Sequence, residues 1–146
     1  MIVLDASAGV AIAAKRLSGR ALRPALLATD EVQAPRLFQV EVANAVWKYV
    51  MAGDMSQDQA LAIHAAATAL VDTFINDAEL VEPALREAIG LSHPIYDMLY
   101  LVLTHRTGAQ LCTLDRRLAK IAGQLDLAVV EPEAQGQPDR PRSAPS

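Results

Sequence analysis

The first apolar run, Ile2 to Leu4, has no polar interruption and stops at Asp5. A short unbroken run of this kind predicts a strand buried on both faces rather than an alternating edge strand. Ser7 then opens a predicted helix over Ala8–Leu17. The Gly19–Pro24 stretch reads as an interruption, followed by a second short helix near Ala25–Thr29 and a strand over Val32–Ala34 closed by Pro35. From Leu37 to Met51 apolar residues recur at helical spacing, with Gly53 and Asp54 as the stop. Ser56 stands as N-cap of the next helix, Gln57–Val71, so the two make a helical hairpin. Phe74–Leu80 alternates weakly as a strand, and Pro83–Leu91 predicts a short helix. Pro94–Thr107 predicts a longer one, with Pro near its first turn and Gly108 past its end. Gln110–Thr113 returns as a strand, Arg116–Ala122 as a helix behind Asp115, and Leu127–Val130 as a last strand.

Strands alternating with helices predict an α/β fold with a central, mostly parallel sheet of four to five strands flanked by helices. Ligands in such folds bind outside the carboxyl ends of the strands. From Glu131 the composition shifts to EPEAQGQPDRPRSAPS, with no apolar side chain larger than Ala or Pro. The expectation is one domain over residues 1–130 and a disordered Pro/Gln/Ser-rich tail over 131–146.

Composition narrows the chemistry. Hydrophobic residues make up 52% of the 146 and aromatics only 4%, so the core must be Ala, Leu, Val and Ile. The formal charge is −4, from 13 Lys and Arg against 17 Asp and Glu. That argues against a passive nucleic-acid sleeve, which would be basic, but suits an enzyme whose acids gather at one spot and are neutralised there by cations. Cys112 is the only cysteine, which excludes an internal disulfide and a thiolate metal cluster and fits a reducing cytosol. MIVLDAS lacks a basic n-region, and charges interrupt every apolar run before about 18 residues. The expectation is a cytoplasmic protein with no membrane association.

Four acids stand out. Asp5 and Asp115 each sit where a strand ends and a helix begins, positions that also suit a helix N-cap. Glu41 lies in an apolar helix and shares a stripe with Leu37, Asn44 and Lys48. Asp97 falls in the first turn of the Pro94 helix, inside HPIYDMLYLVL, where the helix dipole alone would favour it. Each acid has its bland explanation, a cap, a dipole or an ion pair. Two strand ends and two helices all bringing an acid is a constellation that four independent bland explanations account for poorly. Grouped carboxylates repel one another unless a cation lies between them. An oxygen-only set points to Mg2+ or Mn2+ rather than zinc, and such a site suits hydrolysis of phosphodiesters.

These residues resemble the PIN-domain family, and within it the VapC branch of bacterial toxin–antitoxin pairs. MIVLDASA resembles the family's opening strand with its acid, and PRLFQVEVANAVWK the helix with Glu and a following Asn. HPIYDMLYLVLTHRTGAQLCTLDRRLAKIA resembles the stretch from the third acid to the fourth. The match runs over residues 1 to about 130, and it implies a PIN-like three-layer fold. It makes Asp5, Glu41, Asp97 and Asp115 the catalytic, Mg2+-holding cluster, with Ser7, Asn44 and Thr113 as supporting or substrate-orienting groups. Some PIN proteins carry a fifth acid just past the fourth, where this chain has Arg116 and Arg117. The resemblance further implies an endoribonuclease toxin, an RNA substrate, a homodimer and a VapB-type antitoxin. Lys15, Arg16, Arg116, Arg117 and Lys120 are basic residues expected beside the acids and are candidates to meet RNA phosphates. His64, His93 and His105 show no ligand spacing on one helix and carry no assigned role. Trp47 and Tyr49 are expected in the core or an interface, Tyr96 and Tyr100 in packing or partner contacts.

The alternatives are few. A haloacid-dehalogenase-like phosphotransferase would need a second Asp two residues after Asp5, where Ser7 stands. A receiver domain would need paired acids there and a late-strand Lys, which Leu127–Pro132 does not supply. A catalytically silent PIN-like module that binds RNA or a protein is the remaining rival, and an intact set of four acids argues against it.

Overall fold

The computed structural model describes residues 1–134. Of the tail expected over 131–146, residues 135–146 lie outside that range. The described part forms no regular element, and the Glu133 N–H donates to the Ala21 carbonyl at 3.0 Å.

Four short strands form one parallel sheet: β1 (Ile2–Leu4), β2 (Val32–Pro35), β3 (Thr73–Ile75) and β4 (Gln110–Cys112), in the order β3-β2-β1-β4. Ile2 pairs with Val32 on one side and Gln110 on the other. Every residue of β1 and β2 is buried, as a sheet covered on both faces requires. The helices are α1 (Ala6–Ala13), α2 (Leu17–Ala28), α3 (Leu37–Met51), α4 (Gln57–Thr68), α5 (Val81–Leu91), α6 (Ile95–Thr107) and α7 (Arg116–Gln124). The expected α/β fold, with a parallel sheet flanked by helices, is therefore the one observed. No helix among the described residues is long and apolar enough to cross a membrane.

The core explains the order of the pieces. Phe38 and Val42 of α3 and Met98, Tyr100, Leu101 and Leu103 of α6 are buried with β1 and β4 in one cluster. Loss of the Phe38 ring would cost about 3–5 kcal/mol. Helix α4 begins with a reciprocal cap: Ser56 Oγ accepts from Gln59 N–H while the Gln59 side chain accepts from Ser56 N–H. Helix α6 ends where Gly108 turns left-handed at φ 64°.

Several elements depart from the sequence reading. The Gly19–Pro24 stretch is not an interruption but the body of α2. Gly19 is there because α2 crosses α1 so closely that a Cβ would lie 2.3 Å from the Ala11 carbonyl. Pro24 removes one backbone hydrogen bond without ending the helix, which is held by packing of Leu22 and Leu26 on the core. Helix α1 starts two residues earlier than expected and stops at Ala13, where Lys15 turns left-handed at φ 56°. Its N-cap is Asp5, not Ser7. Phe74–Leu80 divides into β3 and a 3₁₀ turn, Asp77–Glu79, because the Asn76 side chain accepts from Ala78 N–H and bends the chain. Leu127–Val130 makes only a single parallel bridge, Leu111 with Val129, rather than a full strand.

Candidate active site

All four strands are parallel, so their carboxyl ends open on one edge of the sheet. Asp5 follows β1 there, Asp77 follows β3, and Thr113 to Asp115 follow β4. Helices α3 and α6 bring Glu41 and Asp97 to a cleft of about 1110 Å³, whose wall also includes Ser7, Asn44, Lys48, Arg16 and Tyr96.

Asp5 is the most enclosed of the acids, 5% exposed. Its Oδ1 accepts from Ala8 N–H at 3.0 Å and from Ser7 Oγ at 2.7 Å, and its Oδ2 accepts from Thr113 Oγ1 at 2.6 Å. Three elements thus hold one carboxylate: β1 delivers it, α1 is capped by it, and the end of β4 reaches across to it. Burial nevertheless dominates and pushes the Asp5 pKa up to about 6 against the hydrogen bonds, with a smaller push from the Asp115 charge.

Glu41 is also pushed upward, first by burial and then by the charges of Asp5, Asp97 and Asp77, while a hydrogen bond from Tyr100 opposes the shift. That bond runs from the Tyr100 hydroxyl to Glu41 Oε1 at 2.9 Å. Asp97 Oδ2 is met at 2.7 Å by Nε2 of His93. Asp115 is exposed, and its Oδ1 accepts from Arg117 N–H and Leu118 N–H as the N-cap of α7.

The geometry places the sequence candidates unequally. Ser7 and Thr113 both bond Asp5, and Ser7 Oγ also accepts from Leu114 N–H at 3.0 Å, tying α1 to the end of β4. Asn44 and Lys48 lie with Glu41 on the cleft wall, as the helical stripe predicts. Of the basic candidates only Arg16 lines the cleft, where its guanidinium sits 4.5 Å over the ring of Tyr49. Lys15, Arg116, Arg117 and Lys120 are exposed outside it. Three partners escaped the sequence reading. Tyr100 was readable in principle, since it falls three after Asp97 on one stripe of α6, whereas His93 lies just before that helix. Asp77, which accepts from Leu37 N–H at 3.1 Å, carried no local signal. Trp47, expected in the core or an interface, is 55% exposed on the outer face of α3.

As the side chains stand, no three His, Cys, Asp or Glu among the described residues enclose an ion. The fit to a divalent cation rests on donor chemistry and charge. The donors are carboxylate oxygens at one sheet edge, and Asp5 and Glu41 are raised first by burial and then by the charge of neighbouring carboxylates, the shift that a nearby cation reverses.

No family model matches the chain. Among curated proteins it is 34% identical over 125 residues to Ribonuclease VapC1 in two strains of Mycobacterium tuberculosis, covering 83% of this chain and 90% of that one. It is 29% identical over 134 residues to Ribonuclease VapC3 of Pyrobaculum aerophilum, covering 82% and 92%. Among solved structures, PAE2754 from Pyrobaculum aerophilum superimposes with a TM-score of 0.65 at 25% identity, over 80% of this chain and 76% of that one. With an all-parallel sheet that gathers acids at one edge and a relative of this identity along most of its length, the chain belongs to the VapC branch of the PIN-domain family.

Proposed function

We propose that this chain, through a PIN domain over residues 1–130, is a Mg2+-dependent endoribonuclease, the toxin of a VapBC-type pair acting in the cytoplasm. The observation that carries the reading is Asp5: a buried carboxylate at the carboxyl end of an inner strand, held by three elements, with Glu41 and Asp97 facing the adjoining cleft. The names of its relatives support RNA as the substrate and a VapB-type antitoxin as the partner. The same resemblance makes a homodimer the expected assembly.

Asp5, Glu41, Asp97 and Asp115 would hold the cation. When bound, Mg2+, or Mn2+ in its place, supplies the positive charge that activates water and offsets charge on the scissile phosphate. Ser7 and Thr113 fix the Asp5 carboxylate, so it need not reorganise as charge develops. Tyr100 fixes Glu41 from the core side. Asn44 offers a carboxamide on the cleft wall, suited to a sugar hydroxyl or phosphate oxygen. Arg16 and Lys48 lie on the same wall and can meet backbone phosphates on either side of the cut.

The test is incubation of purified, antitoxin-free protein with a mixed cellular RNA pool in Mg2+, Mn2+ or EDTA, alongside Asp5→Asn. Discrete cuts that need a divalent cation and vanish in the variant are expected. Intact RNA under every metal would overturn the enzymatic reading.

A further inference from the structure

His93 precedes the site helix and does not line the cleft, yet its side chain is only 4% exposed and Nε2 lies 2.7 Å from Asp97 Oδ2. An ionised carboxylate can only accept, so the ring nitrogen is the donor. The ring is placed by two helix ends. The His93 backbone N–H donates to the Ala88 carbonyl at 3.0 Å, closing α5 behind a left-handed Ser92 at φ 51°. Pro94 then sets the entry into α6. Asp97, 31% exposed, faces the cleft one turn on. On the same stripe, Tyr100 grips Glu41 by Oε1. In both pairs one carboxylate oxygen is held, and the other, Asp97 Oδ1 or Glu41 Oε2, takes no hydrogen bond among the described residues.

We propose that His93 is a positioning residue: its buried imidazole holds Oδ2 of Asp97 so that the other oxygen is presented to a divalent cation in the cleft. The proposal rests on the metal-dependent reading given above. The chemistry of the donor matters. Lys or Arg at this place would neutralise Asp97 and compete with the cation for it, whereas an imidazole can donate without carrying charge. Carboxylates that ligate metals are commonly held in this way by a hydrogen-bonding partner behind them.

The experiment is calorimetric titration of Mn2+ into the intact protein, with melting temperature in EDTA recorded for each variant. His93→Phe keeps a ring and loses the donor; His93→Gln places an amide nitrogen near the position of Nε2. His93→Asn places one near Nδ1, out of reach of Asp97, and replaces the Phe variant if that one does not fold. The dissociation constant for Mn2+ is expected to rise roughly 10–100-fold in His93→Phe or His93→Asn and to stay within about threefold of wild type in His93→Gln. Wild-type affinity in a folded His93→Phe or His93→Asn would overturn the proposal and leave the ribonuclease reading standing. Equal loss in the Gln variant would also overturn it, because the ring's packing rather than its donor would then be what counts. Absence of Mn2+ binding by the wild-type protein would remove the metal-dependent reading itself, and this proposal with it.

Discussion

The β1–α1 and β4–α7 junctions are built to the same local plan. Each ends a parallel strand, and each puts an Asp at the N-cap of the following helix, with the carboxylate accepting from backbone N–H groups of the first turn. Yet Asp5 is buried and bonded by residues from two further positions, Ser7 and Thr113, while Asp115 is exposed and its carboxylate, among the described residues, is bonded only to the first turn of its own helix. The first carboxyl is pushed up to about 6 by burial. Capping satisfies a carboxylate that water also reaches. It is insufficient for one sealed at the centre of the sheet, and a cation has most to gain there.

The largest expected effect separates the two acids by activity. Asp5→Asn should lose more RNA cleavage than the roughly 10–100-fold that altering an outer partner of a metal ligand brings. Asp115→Ser, which retains a capping oxygen, should leave stability nearly unchanged and still lower cleavage, measured on one defined RNA in Mg2+. Full activity in Asp115→Ser would reduce Asp115 to a helix cap.

Next in size is pH dependence in EDTA. A carboxyl whose pKa is higher folded than unfolded binds its proton more tightly in the folded chain. For Asp5, raised from 3.8 to about 6, that stabilisation is complete below the unfolded value and disappears as pH climbs through the folded one. Chemical denaturation should therefore show stability falling by on the order of 3 kcal/mol between about pH 4 and pH 7 from this group. Asp5→Asn should lack that slope, and Asp115→Asn should retain it.

Tyr100→Phe removes the hydroxyl bonded to Glu41 while keeping the ring that fills the core. It should cost about 1.5–3 kcal/mol, the range for a hydrogen bond to a charged group, and weaken Mn2+ binding in the same titration that tests His93. The smallest effect is the cap itself: Asp115→Ala should cost about 1 kcal/mol of thermal stability.

Much of this was legible in the chain. The runs Ile2–Leu4, Leu37–Met51 and Gln110–Cys112 emerge almost as read, because each is a short apolar pattern bounded by a strong stop. The four acids stand out in the sequence because strand ends and apolar helices are costly places for unexplained charge. Gly19 misled, since glycine marks a break and a close helix crossing with the same letter, and only the 2.3 Å approach to Ala11 tells them apart. Tyr100 and His93 were missed because each bond depends on orientation as well as spacing. Tyr100 reaches Glu41 fifty-nine positions away, and His93 reaches Asp97 across a helix boundary. Ser7 has the letter of a cap, yet its hydroxyl serves Asp5 and Leu114 instead.

The most direct test of the central claim, that the buried Asp5 carboxylate is the seat of a cation, is the melting temperature at neutral pH with and without Mg2+, for wild type and Asp5→Asn. At a hundred times the dissociation constant a ligand adds about 2.7 kcal/mol, which for a chain of this size is a rise of roughly 5–10 °C. The account predicts that rise in the wild-type protein and its loss in Asp5→Asn, whose metal-free form should melt higher than the wild type's. An equal response to Mg2+ in both proteins, or none in the wild type, would contradict it.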